Sequence, residues 1–425
     1  MTNYIIEVRD EDFRRIGQID QYMDLDIVIR HCQPGSWKIE VMEGTRAAEL
    51  LQRGRGVVIW NADIGKALIS GPVQQMQYYW TNDQHTGPGS IYFSGKSDDQ
   101  IVYSRVGWPD HTKTLARPWS EEKNSKNPMD KTSQVFNQQP AGDVIGFFSL
   151  RNFGGDSLPD RTAKGLEGFT QYPAGLGEKV DADVRFAELG KLYEDWCERG
   201  NVGYRIIYNP NTSKLEFELY ETADKSDSVI FSPEMGNIKQ YSWQMDAPSC
   251  TRAIVAAQGE GKNRYIMQKV NHEAEAEWNR MIVEKFIDRR DIPVSRKEDG
   301  SPNLVKEGES PPEGYPDLAT ALKKMEDAAD EALKEGEPKA SVNLEPIDVP
   351  GCTFGKHYWV GDKVTVYSIT GRKVQHLVRE VRITHNDSED RVSPSIGDKT
   401  ENGPLNIYND VKNLRRQVEH LRTRY

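Results

Sequence analysis

Long apolar runs are missing from this chain, and none approaches the roughly 18 residues that a membrane-crossing helix needs. The N-terminus also lacks the apolar stretch of a secretory leader, so neither a leader nor a membrane span is expected. Cysteine is scarce: Cys32, Cys197, Cys250 and Cys352 are scattered, with no C-x-x-C pair. That leaves buried free thiols made in a reducing cytosol as the default reading. An excess of positive charge is lacking too. Lysine and arginine number 55 against 66 aspartate and glutamate, a net charge of −11, which argues against a general nucleic-acid binder with a basic face. Apolar residues make up only 36% and mean hydropathy is −0.72, low for one large globule. With 425 residues there is room for about two to four domains, so several small β domains with long surface loops are expected.

Motifs that would carry chemistry are equally thin. Gly89 to Ser97 ends in Gly95-Lys96-Ser97, but a P-loop needs four residues between its glycines so that backbone N–H groups wrap the phosphates. Here five residues intervene, and Ser90 to Ser94 reads as a strand. His272-Glu273 begins like a zinc-protease helix, yet position 276 is Ala, so the second ligand is absent. The eight histidines (31, 85, 111, 272, 357, 376, 385, 420) include no local pair at ligand spacing. Gly259-Glu260-Gly261 lacks the third glycine of a dinucleotide fingerprint and reads as a hairpin tip. The enzymatic alternative is a glycosidase, which needs two carboxylates in contrasting environments. The 66 acids supply candidates, but none sits in a distinctive motif. No catalytic residue, metal ligand or cofactor is expected.

What is present is a succession of short β-branched or aromatic runs: Tyr4 to Val8, Met23 to Ile29, Trp37 to Val41, Val57 to Trp60, Gln75 to Trp80 and Ile91 to Phe93. Gly, Pro, Asn and Asp punctuate them, as in a small barrel or sandwich. Helices are expected over Thr45 to Gln52 and Ser97 to Arg105. Residues 107 to 178 hold few periodic elements, and Lys113 to Lys131 reads as a surface excursion. Val184, Leu189, Leu192, Tyr193 and Trp196 recur at helical spacing, with Gly200 placed as the stop. A hairpin follows, pairing Tyr204, Ile206 and Tyr208 with Leu215, Phe217 and Leu219 around Asn209-Pro210-Asn211. Strands return at Arg252 to Ala257, Arg264 to Val270 and Arg280 to Ile287. A charged, Pro/Gly-rich linker runs from Arg296 to Pro316. A helix over Asp317 to Leu333 carries Leu318, Leu322, Met325, Ala329 and Ala332 on one face, before strands at Ser341 to Leu344, Lys363 to Tyr367 and Leu377 to Thr384.

The C-terminal residues carry a heptad. Ile407, Val411, Leu414, Val418, Leu421 and Tyr425 are spaced alternately four and three apart, which places them on one helix stripe, the seam of a coiled coil. Gly403-Pro404 precedes the helix, where proline is tolerated. The remaining positions, among them Lys412, Arg415, Arg416, Glu419 and Arg422, are polar. The stripe is therefore expected to be an oligomer interface or to meet a partner helix; the alternative is a terminal helix docked on its own domain.

Several ordered stretches resemble one family, the hub or minor tail proteins (Gp37-like) of siphophages that infect actinobacteria. Glu7-Val8-Arg9-Asp10 through Arg15-Ile16-Gly17-Gln18-Ile19-Asp20 looks like its first hairpin. Arg30, Gly35-Ser36-Trp37, Leu68-Ile69-Ser70-Gly71-Pro72-Val73 and Ser94-Gly95-Lys96-Ser97-Asp98-Asp99 continue the match. Val229-Ile230-Phe231-Ser232-Pro233-Glu234-Met235-Gly236-Asn237 is similar to the central signature. Gln258 to Gly261, Trp278, Phe286 to Asp291, Pro350-Gly351, Gly361-Asp362-Lys363-Val364 and Val378 to Ile383 follow in order. Gly35, Gly71, Gly236 and Gly351 are expected to serve turns of positive φ or close backbone approach.

The resemblance implies an α+β, mainly β protein with two tail-tube-like β-barrels, α/β insertions and, by the heptad, a C-terminal coiled-coil helix. The expected divisions are a first barrel (1–112), an excursion and connector (113–178), an α/β module (179–245), a second barrel begun at 246–295 and completed at 341–402, a linker with its helix (296–340), and the coil (403–425). It further implies a structural virion protein at the tail tip, a homotrimer whose two barrels per chain mimic a hexameric tube ring. Its partners would be the tail tube, the distal tail protein, the tape measure and tip or fibre proteins, with DNA passing transiently through the lumen. One feature of the coil differs: β-branched residues at one seam position with Leu at the other favour two strands. Alternatives are the hub of a contractile injection particle and a tail-associated cell-wall hydrolase.

Overall fold

A computed structural model describes residues 3–80, 89–109, 111, 133–259, 261, 264–294, 318–347, 351–369, 371, 373–388 and 390–397. Strand outweighs helix, 43% to 17%, so the chain is mainly β. It divides into two units, one of Met1–Ser242 with Val342–Gly397 and one built from Trp243–Ser341.

Unit one opens with β1 (Tyr4–Arg9), β2 (Arg15–Ile19), β3 (Asp24–Arg30) and β4 (Ser36–Met42), helix α1 (Arg46–Leu50), then β5 (Gly56–Asn61), β6 (Lys66–Pro72), β7 (Gln75–Tyr79), β8 (Ser90–Lys96) and α2 (Gln100–Tyr103). The β1–β2 hairpin forms as the resemblance implies. α1 starts where the Thr45 side chain accepts a hydrogen bond from the Ala48 N–H. The four-stranded sheet runs β2-β1-β5-β6. An α/β module follows: β9 (Gln134–Pro140), α3 (Ala141–Asn152), β10 (Lys179–Val184), α4 (Leu189–Gly200), β11 (Val202–Asn209) and β12 (Lys214–Glu221). The hairpin has the expected register, with Tyr204 opposite Leu219 and Ile206 opposite Phe217.

Three local expectations give way here. β9 and α3 occupy a stretch read as nearly featureless. α3 escapes because Ala141, Gly142, Val144, Ile145, Phe148, Ser149 and Leu150 are all buried, so it has no polar face to reveal a helical period. Val184 ends strand β10 rather than lying on α4. The left-handed residue that terminates α4 is Asn201, at φ 51°, one beyond Gly200.

The chain continues through β13 (Ile230–Phe231) and β14 (Ile238–Asp246) into unit two, with β15 (Arg252–Ala256), β16 (Ile266–Val270), α5 (His272–Glu277), β17 (Glu284–Asp288) and α6 (Leu318–Glu335). Its sheet runs β16-β15-β17. Ala321, Met325, Ala328, Ala329 and Leu333 of α6 pack with Ala253 and Val255 of β15 in its core. Of the expected face, Met325, Ala329 and Ala332 are buried and Leu322 is half-buried.

β18 (Lys339–Pro346) leads back to β19 (Lys363–Tyr367), β20 (Lys373–His385) and β21 (Asp390–Gly397). These strands join the opening ones. A ten-stranded sheet runs β14-β18-β21-β20-β3-β4-β8-β7, with β19 beside β20 and β13 beside β19. It thus draws on both segments expected to form separate barrels, and among the described residues no sheet closes on itself. Register explains the union. Val381 lies opposite Ile29 and Ile383 opposite Ile27, all buried. On the other face Arg30 pairs with Glu380 at 2.6 Å and Arg382 with Asp26 at 2.6 Å. A one-residue slip would invert both faces.

Candidate interaction surfaces

The heptad residues Ile407, Val411, Leu414, Val418, Leu421 and Tyr425 lie outside the described residues, as does Lys113 to Lys131. Gly89 to Ser97 contains strand β8. His272-Glu273 opens the short helix α5, capped by the Asn271 side chain accepting from the Ala274 N–H at 3.0 Å. Among the described residues no three His, Cys, Asp or Glu side chains converge as a metal site, and no helix is long and apolar enough to cross a membrane. All four cysteines are buried, and none is in a disulfide.

The central sheet has two contrasting faces. Leu25, Ile27, Ile29, Trp37, Ile39, Val41, Ile91 and Phe93 are buried on one. The other alternates with them through β3, β4, β8 and β20. It carries Asp24, Asp26, Glu40 and Glu380 against Arg30, Lys38, Lys96 and Arg382, with Ser36, Ser90, Ser94 and Thr384 between. On these four strands four carboxylates balance four cations, and Val28 and Met42 are the apolar members of the face. Lys38 Nζ sits 4.0 Å from the centre of the Tyr92 ring.

Among the described residues, β7 forms one edge of the sheet. β7 pairs with β8 alone among the described strands, and Tyr78, Tyr79 and Trp80 are 63%, 53% and 66% exposed. Edge strands are normally protected by charge, proline or a bulge; Gln-Met-Gln-Tyr-Tyr has none of these. Consecutive exposed aromatics belong to a strand with neither face buried. The sequence contained that signal, since a strand packed on one side would alternate.

Residues of the resembling stretches prove to be joints. The Asn237 side chain accepts from the Ser232 N–H at 2.8 Å and donates to the Ile230 carbonyl at 2.7 Å, closing the Val229 to Asn237 turn with Met235 exposed at its tip. Gly236 takes φ 67° there. At Gly71 a Cβ would lie 2.1 Å from the Lys96 carbonyl oxygen, so only glycine fits. Asp362 accepts from the N–H groups of Ala223 (3.0 Å) and Trp359 (2.8 Å) and from Lys225 Nζ (2.7 Å). Asp98, which is buried, accepts from Arg9 at 2.6 Å and from the Ser70 hydroxyl at 2.5 Å. The Ser70 oxygen in turn accepts from the Tyr208 N–H at 2.8 Å. Neighbouring Asp99 accepts from the Ile206 N–H at 2.6 Å and the Ser97 hydroxyl at 2.7 Å. The backbone edge of β11 that β12 leaves free is thus taken by side chains rather than by another strand.

The chain is thus an open, mainly β fold, and solved folds resemble it. A 43 kDa tail protein of prophage MuSo2 from Shewanella oneidensis matches at TM-score 0.52 and 11% identity, over 92% of this chain and 98% of its own. A tail protein from Neisseria meningitidis MC58 matches at TM-score 0.50 and 9% identity, over 93% and 97%. No curated protein sequence matches. The family model of the Siphovirus ReqiPepy6 Gp37-like protein matches residues 5–398, and the chain belongs to that family. It is a structural protein of a phage tail.

Proposed function

We propose that this chain is the hub at the tail tip, a ring that continues the tail tube and anchors distal tail proteins. The observation that carries the reading is the ten-stranded sheet, open at β7 with its aromatic, uncharged edge. A second copy pairing there would extend the sheet from chain to chain, and a head-to-tail contact of this kind closes into a ring. The tube-like barrels of the family would be completed in that assembly. Three copies, each with two barrel segments, would match a hexameric tube ring. The polar, charge-balanced sheet face suits a channel wall, because a basic wall would hold DNA phosphates through counterion release. Tail tube, distal tail protein, tape measure and tip or fibre proteins are the partners this position provides, and DNA passes transiently. The heptad of Ile407, Val411, Leu414, Val418, Leu421 and Tyr425 would bring C-terminal helices together on the axis.

The test is the variant Tyr79→Lys with Trp80→Lys, which places charge on the open edge without touching a buried residue. Mass photometry is expected to show trimers for the wild-type chain and single copies for the variant, with unchanged thermal unfolding. Wild-type chains that stay single at every concentration, or a variant that still forms trimers, would contradict the proposal.

A further inference from the structure

Two of the four cysteines meet in the core of unit one. Cys32 follows strand β3 and Cys197 lies in the last turn of α4, and both belong to the cluster that packs the α/β module. Polar contacts set residues 32 and 33 against one face of that helix. Gln33 Nε2 donates to Glu194 Oε2 at 2.5 Å, and the Tyr103 hydroxyl lies 2.5 Å from Glu194 Oε1 and 3.0 Å from the Cys32 carbonyl oxygen. Glu194 and Cys197 are three residues apart, so they share that face. There the Cys197 thiol interacts directly with the Cys32 thiol. Cys32 Sγ also reaches the Val202 carbonyl at 3.7 Å, where α4 gives way to β11. The buried His31 ring completes the group, its two nitrogens 3.8 and 3.7 Å from Cys32 Sγ. Cys32 itself takes φ 50°. That left-handed conformation is costly for a residue other than glycine and persists only where its surroundings impose it.

We propose that Cys32 and Cys197 form a redox-operated lock between the opening strands and the α/β module: open as two thiols, closed as a disulfide. The oxidant is a small disulfide of the glutathione class. The Cys32 thiolate attacks one of its sulfurs, and the Cys32 proton passes by way of His31 to the thiol released. The Cys197 thiolate then attacks Cys32 Sγ in the mixed disulfide and expels the oxidant's second thiol. Two cysteine thiols give up two electrons and two protons, and one oxidant disulfide becomes two thiols. The sulfurs are already neighbours and close to roughly 2 Å on bonding. In a reducing cytosol the pair stays as thiols, whereas a phage tail released from the cell meets surroundings in which disulfides persist. Both thiols are buried, so oxidation waits on local opening of the contact. Once formed, the bond joins residues far apart in sequence, which restricts the unfolded chain and stabilises the joint.

The full chain in its native state tests this. Wild-type protein is incubated with oxidised glutathione or with dithiothreitol, alkylated in denaturant, digested and mapped by mass spectrometry. Oxidation should yield a peptide linking Cys32 to Cys197, with Cys250 and Cys352 recovered alkylated. The thermal midpoint of the oxidised chain should lie about 5 °C or more above that of the reduced chain, and dithiothreitol should reverse the rise. Cys197→Ser, treated in the same way, should give neither the linked peptide nor the rise. Cys32 and Cys197 recovered unlinked, links to Cys250 or Cys352 in comparable yield, a linked peptide without a higher midpoint, or an equal rise in Cys197→Ser would overturn the lock. Should Cys197→Ser not fold, the wild-type map and its two midpoints decide alone.

Discussion

The Arg9–Asp98 pair ties the first strand to the corner that follows β8. It spans 89 positions of sequence at 2.6 Å, both side chains are about 5% exposed, and Ser70 extends the pair to Tyr208. Removing one partner of a buried ion pair leaves an uncompensated charge, worth about 3–5 kcal/mol. Asp98→Ala should therefore lower unfolding stability by that order in denaturant titration. A loss below about 1 kcal/mol, the value of an exposed pair, would show that the joint is dispensable. Both residues stood in stretches that matched the family, so their importance was legible. Their partnership was not, because nothing local signals a contact across that distance. The turn at Gly236 and the close approach at Gly71 were more accessible, since glycine in such punctuated positions has few other reasons to be there.

Elements were readable where one face is buried and the other wet. β3, β4, the β11–β12 hairpin and α6 follow from their alternation or helical period. α3 was not readable, because burial on nearly all sides erases the period, and polar β9 offers no apolar alternation. Strand pairing between β3 and β20 was hidden for another reason: both have suitable alternation, but so do several others, and only tertiary register selects the partner. The C-terminal heptad belongs to this scale as well. Removing residues 404–425 should leave the thermal unfolding of the body unchanged while weakening tip assembly. Leu414→Asp is the sharper change, placing a charge in an apolar seam at several kcal/mol if unpaired. Size-exclusion chromatography with light scattering would read both. Unchanged assembly in Leu414→Asp would reduce the heptad to a solvent-exposed helix.

For the whole molecule, the resemblance of ordered stretches pointed to a phage tail protein, and family membership over residues 5–398 bears that out. Division into units was less legible. The sequence separates the opening strands from the closing ones by more than 200 residues, yet β20 lies beside β3. That sheet, open at β7 and polar on one face, makes the hub reading specific enough to fail. A reconstruction of the intact particle's tail tip, without imposed symmetry, tests it most directly. The predicted result is three copies of this chain around the axis, with β7 at the contact between copies and a neutral or acidic channel wall. A single copy, six copies in one ring, or a strongly positive wall would contradict it.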